Sequence, residues 1–196
     1  MKKINSLVVF CASAIGNNEI YAKSANELGK SLAQRDIELI YGGGKVGLMG
    51  AVADGALELG GKVTGIIPDF MTPHEIAHQG LSELIVVKSM HERKLLMHEK
   101  SDAVITLPGG FGTFEELFEI LTWIQLGLYQ KPVVILNQNG YYDNLEAQLG
   151  QMMQEGLLNK QQGKMLKFVN SITSIFDYFE RYEAIPGIFK MKRNQT

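Results

Sequence analysis

The segment Ala103 to Leu126, AVITLPGGFGTFEELFEILTWIQL, passes from a strand pattern through a glycine loop into a helix pattern. Ala103–Leu107 is apolar except for Thr106 and rich in β-branched residues, which suits a strand buried on both faces. Pro108 ends the strand. Gly109, Gly110 and Gly112 permit positive φ and close backbone approach. Thr113 reads as a helix cap with Glu116 three residues on, a capping-box spacing. Leu117, Phe118, Leu121, Ile124 and Leu126 then recur at helical spacing. Strand, tight loop and helix in that order form half of a βαβ unit.

The same alternation fills the chain. Strand patterns fall at Leu7–Ala12, Glu38–Tyr41, Lys62–Ile67, Leu84–Lys88, Ala103–Leu107, Val133–Leu136 and Leu166–Val169. Helical patterns fall near Glu19–Gln34, Gly47–Leu59, His91–Lys100, Thr113–Leu126, Tyr142–Glu155 and Ser174–Tyr182. Apolar strands alternating with helices imply a mostly parallel sheet covered on both faces. The expected class is α/β: a single Rossmann-like three-layer αβα domain over residues 1–190, with 191–196 (MKRNQT) as a basic C-terminal tail. Right-handed crossovers collect the loops after the strands on one edge, where such folds bind ligands.

The chain has 196 residues, 45% hydrophobic and 20% charged, with a formal net charge of −2. That balance argues against a general nucleic-acid binder. No run approaches the ~18 apolar residues of a membrane span. MKKINSLVVFCASA resembles a leader peptide in outline, but Val8, Val9 and Phe10 read better as a first strand. The single cysteine, Cys11, sits in an apolar run and reads as a core residue. One thiol cannot form an internal disulfide, which suits a reducing, cytoplasmic setting.

Two glycine segments follow strands. YGGGKVGLMG (41–50) contains G-x-G-x-x-G at Gly42, Gly44 and Gly47, a pattern that can hold an anion against a helix N-terminus. Asp69, beyond the next strand, would then be a ribose-binding acid. This motif follows the second strand and not the first, so the dinucleotide reading is weak. GKS at Gly29–Ser31 is no triphosphate loop, because Ser24 stands where a glycine is required. The second segment is the one quoted at the outset. Its carboxylates sit one helical turn, about 5 Å along the axis, from any phosphate in the loop. An acid there can face the far end of a sugar whose 5'-phosphate the loop holds. Glu115, Glu119 and Thr122 share one helical face. The remaining faces are so apolar that the helix is expected in the core or in a subunit interface.

SMHERKLLMHEK (89–100) puts Arg93 and Lys94 in the first turns after a strand, at the ligand edge, where arginine can grip phosphate or a sugar. HEIAH (74–78) formally matches H-E-x-x-H. Pro73 and Gly80 confine any helix there to about two turns, and no third ligand has the usual spacing, so no metal is expected. No residue stands out as a Schiff-base lysine, and no cofactor is expected.

YGGGKVGLMG, E-x-A-H at 75–78, SMHERK at 89–94, PGGFGTFEE at 108–116, T-W-x-Q-L-G at 122–127 and GYYDNL at 140–145 occur in this order. Together they resemble the LONELY GUY family of cytokinin riboside 5'-monophosphate phosphoribohydrolases, related chains of which carry the label lysine decarboxylase. The resemblance implies a Rossmann-like homodimer that hydrolyses the N-glycosidic bond of a nucleoside 5'-monophosphate. It places the catalytic pair on Arg93 and Glu116. It places nucleotide contacts on Glu75, Lys94, Gly110, Phe111, Gly112, Thr113, Phe114, Glu115 and Thr122, with Gly43 and Gly44 in the first glycine loop. Phe111 stands where tyrosine is commoner in the family. Two further readings stay open: a non-catalytic nucleotide-binding module, and an NAD(P)-dependent oxidoreductase built on Gly42, Gly44 and Gly47. The base, whether adenine or an N6-modified adenine, is left open as well.

Overall fold

The computed structural model describes residues 3–72 and 77–189. Seven strands form one sheet: β1 (Ser6–Phe10), β2 (Glu38–Tyr41), β3 (Val63–Pro68), β4 (Glu83–Val87), β5 (Ala103–Thr106), β6 (Val133–Leu136) and β7 (Leu166–Val169). Their order is β4-β3-β2-β1-β5-β6-β7, and every ladder is parallel. The helices are α1 (Glu19–Gln34), α2 (Gly47–Glu58), α3 (Met90–Lys100), α4 (Phe111–Leu126), α5 (Asp143–Gln154), α6 (Lys160–Gly163) and α7 (Ile172–Glu180). All seven expected strands and six expected helices are present, each within a few residues of its expected bounds. The short α6 is additional. The 191–196 tail lies outside the described residues.

The central strands bury both faces, as their unbroken apolar runs demand. In β1, Leu7 and Val9 enter a core shared with α1, α2 and α7. Val8 and Phe10 point the other way, into a core shared with α3, α4 and α5. This period-two division is the ordinary geometry of a strand. β1 is the middle of the sheet. From it the chain winds outward through β2, β3 and β4, then returns through α3 to β5 on the other side. The reversal opens a crevice between the carboxyl ends of β1 and β5, where open α/β sheets hold ligands.

One boundary bears on the site. α4 starts at Phe111 with Gly110 as its N-cap, and no side chain caps it. Thr113 is therefore not the cap, and no Thr113–Glu116 capping box exists. A side chain on Gly109 would overlap Thr113 Oγ1. Gly109 thus lets the helix begin one turn earlier, with Thr113 buried in that turn.

Candidate active site

A 390 Å³ cavity lies in the crevice, lined by Cys11 to Ala14 after β1, by Gly110 to Thr113, Glu115 and Glu116 of α4, and by Arg93. Its volume falls in the range of about 300–1,000 Å³ usual for small-ligand sites. Met49, Met71 and Met90 form its apolar wall. A larger cavity of 470 Å³ lies past β6, but its charged residues are Asp143 and Glu146, which would repel an anion.

The two glycine segments differ in what their helix ends offer. At α2, the N–H groups of Leu48 and Met49 donate to the Ala12 carbonyl at 3.0 and 3.3 Å. That helix end is closed by the loop after β1. The Gly43 carbonyl accepts from the His78 N–H at 3.0 Å, and Gly44 bridges to Ala77. Gly43 and Gly44 are thus committed to the 77–78 segment and do not line the cavity. Asp69 is equally committed: its carboxylate caps the Phe70 N–H of a short 3-10 turn. At α4 the situation is reversed. The first-turn N–H groups of residues 111–113 have no helical acceptor, and the N-cap residue, Gly110, has no side chain to cap them. Together with the positive end of the helix dipole they present donors of the kind that suits an anion, at the edge of the cavity.

Two tyrosines fix the loop in front of that helix. Tyr142, buried, donates to the Leu107 carbonyl at 2.7 Å, and Tyr141 donates to the Gly109 carbonyl at 2.8 Å. This is the structural use of the GYYDNL segment, which the motif reading left without a role.

Arg93 is set by the start of α3. Ser89 caps that helix by accepting from the Glu92 N–H, and the Glu92 carboxylate accepts from the Lys88 N–H at 2.8 Å. Arg93 is buried, with Nε donating to the Ile66 carbonyl at 3.1 Å and Nη2 to the Gly42 carbonyl at 3.3 Å. The guanidinium is clamped by two backbone carbonyls at the ends of β2 and β3. Lys94 is also buried, and its ammonium sits between the Glu115 and Glu119 carboxylates, 2.9 Å from the latter. It balances acidic charge within the protein and does not line the cavity.

Glu116 is half-buried on the cavity side of α4. Desolvation pushes its carboxyl up to about 7. Arg93 and Lys94 pull it down, and Glu115 and Glu119 push it up. A carboxyl balanced near neutrality beside a fixed cation is a common arrangement of proton-transfer chemistry. Cys11, a core residue as expected, also touches the cavity, with burial raising its thiol far above the ordinary range.

The structure therefore gathers Arg93, Gly110, Phe111, Gly112, Thr113, Glu115 and Glu116. It does not bring Lys94, Phe114, Thr122, Gly43 or Gly44 to the cavity wall. Phe114 stacks on Phe118 and meets the edge of Tyr142. Thr122 donates to the Phe118 carbonyl and lines an apolar groove with Phe118, Leu121 and Met152. Glu75 and His74 lie outside the described residues. The other half of the H-E-x-x-H pattern, His78, is 2.9 Å from the Asp54 carboxylate. Ser13, Ala14 and Met71 lie in no quoted motif, and Met49 and Met90 lie in motifs that gave them no role. The reversal of strand order at β1 and β5 is the signal that would have found Ser13 and Ala14.

An all-parallel α/β sheet whose switch point gathers an open helix N-terminus, a half-buried acid and a buried arginine around one cavity has the form of a nucleotide-site protein of hydrolase type. Residues 49–179 match the family model described as possible lysine decarboxylase. A cytokinin riboside 5'-monophosphate phosphoribohydrolase of Arabidopsis thaliana is 40% identical over 187 residues, covering 93% of this chain and 88% of that protein. Another from Rhodococcoides fascians is 48% identical over 154 residues, covering 78% of each. The chain belongs to this family, the LONELY GUY phosphoribohydrolases. In fold it also resembles the molybdenum cofactor binding protein of Rippkaea orientalis, with TM-score 0.67, 23% identity, and 90% and 94% of the two chains covered. The molybdenum cofactor carrier protein of Chlamydomonas reinhardtii superposes similarly, with TM-score 0.68, 20% identity, and 91% and 98% covered.

Proposed function

We propose that the protein hydrolyses the N-glycosidic bond of a purine nucleoside 5'-monophosphate, AMP or an N6-modified AMP, releasing the free base and ribose 5-phosphate. The observation that carries this reading is the placement of Glu116 about one helical turn into α4 from its open N-terminus, with Arg93 of α3 on the wall of the same cavity. The 5'-phosphate binds the N–H groups of residues 111–113. Its ribose then extends down the cavity toward Glu116. As the C1'–N bond breaks, its electron pair leaves with the base, which takes up a proton. The ribosyl carbon becomes oxocarbenium-like, and the Glu116 carboxylate stabilises that charge. Water adds to C1' and gives up a proton to Glu116, which returns it to the departed base, so that one water is divided between sugar and base. Binding energy from the phosphate holds the reacting bond in place. The methionine wall faces the base with flexible apolar surface.

The groove beside Thr122, with Phe118 exposed at its edge, supports a homodimer packed through α4. Among the described residues no helix is long and apolar enough to cross a membrane. We place the activity in the cytoplasm, in keeping with the single cysteine.

The test is incubation with AMP, N6-isopentenyl-AMP and the matching nucleosides, with free base measured by chromatography. Release is expected from the monophosphates alone. Loss of about 100-fold or more in kcat is expected for Glu116→Gln. Saturable nucleotide binding without any released base would instead favour a non-catalytic binding module.

A further inference from the structure

Gly42 opens the first glycine segment, yet the helix that follows it is closed to anions by the Ala12 carbonyl. Its backbone is not in the left-handed region, so no conformational need for glycine exists there. What requires glycine is volume. A Cβ built on Gly42 would overlap Nη2 of Arg93, lie 3.3 Å from its Cζ, and lie 3.2 Å from Met49 Sδ. The group that must give way is the clamped guanidinium at the far end of the Arg93 side chain, and not the backbone. The same residue supplies the carbonyl that Nη2 donates to. Gly42 thus both makes the space and offers the acceptor.

We infer that Gly42 is a positioning residue for the hydrolase, its absent side chain forming the slot that holds the Arg93 guanidinium beside Glu116. This rests on the catalytic role given to Glu116 and Arg93 above. It assigns the first glycine segment to the catalytic arginine and leaves phosphate binding to the second.

The experiment is Gly42→Ala, assayed for base release from AMP and by carbon-13 NMR titration of Glu116. The groups facing Glu116 are Arg93 and Lys94 from α3, Glu115 and Glu119 from α4, and Cys11 after β1. Of these the variant moves Arg93. We expect kcat to fall about 100-fold, the scale of an ångström-sized misplacement. KM for AMP should stay within about threefold, because the phosphate loop is untouched. The Glu116 titration should rise by about one pH unit as the opposing charge retreats. In an Arg93→Met background the same alanine should cost less than about twofold, since the group it displaces is gone.

Equal losses in both backgrounds, or an unmoved titration, would overturn the slot. If Gly42→Ala fails to fold but the double variant folds, the clash with Arg93 is upheld; if neither folds, the inference fails. Absence of base release by the wild type would instead sink the hydrolase reading, while the titration would still decide the slot.

Discussion

Replacing Glu116 by glutamine should lower kcat about 100-fold or more and, at neutral pH and above, make the protein more stable. Burial raises the Glu116 carboxyl from its ordinary 4.5 to about 7. At ~1.36 kcal/mol per pH unit, holding the ionised carboxylate in the folded cavity costs about 3 kcal/mol. The group is only half-buried, so solvent screening reduces this to about 1–2 kcal/mol. The sign follows from linkage. An acid whose folded pKa is raised contributes its stability fully below pH 4.5 and loses it as pH rises through 7. Glutamine has no charge to hold. The variant should therefore match the wild type below pH 4.5, gain on it between 4.5 and 7, and keep a constant lead above. For a chain of this size the lead corresponds to about 2–8 °C in Tm. Thermal unfolding of both proteins from pH 4.5 to 8.5 measures it directly. A wild type that is the more stable at pH 8, or a difference that does not change with pH, would refute the burial argument. It would also remove the reason for treating Glu116 as a strained functional acid.

The rate should carry the same signature: kcat/KM for AMP should drop about tenfold per pH unit below 7 and level off above it, and a profile flat down to pH 5.5 would contradict a carboxylate titrating near 7. Tyr141→Phe removes the hydrogen bond to the Gly109 carbonyl and should raise KM for AMP several-fold with kcat little changed; an unaltered KM would mean that the loop holds its shape without that hydroxyl. Tyr142→Phe leaves the Leu107 carbonyl without its tyrosine donor and should cost about 1–2 kcal/mol of stability, read by urea unfolding; a change within about 0.5 kcal/mol would mean that the carbonyl finds another donor.

The seven strands and the long helices were legible in the sequence because their signals are local. β1, β5 and β6 are short apolar runs rich in β-branched residues, with Ser6 and Thr106 the polar members, and a strand buried on both faces accounts for them. The loop before α4 was legible as a tight strand-to-helix turn because three glycines, a threonine and a following helix lie within one short stretch, and the proposed phosphate binding rests on that turn. Arg93 and Glu116 were legible from their places at the ligand edge, their pairing as catalytic residues came from the resemblance, and the fold does place both at one cavity.

Tertiary structure decided how those pieces are used. The sequence shows two glycine loops before two helices and cannot say which helix end is open. That depends on the Ala12 carbonyl, carried in from β1, which closes α2 and leaves α4 free. Likewise no local pattern reveals that Gly42 is empty to admit Arg93, that Lys94 is held by Glu115 and Glu119, or that Tyr141 and Tyr142 brace the Gly109 loop. Each of these is a contact across 21 residues or more. Local sequence sets backbone conformation and the pattern of burial, but which donor finds which acceptor is settled only when the sheet brings distant strand ends to one edge.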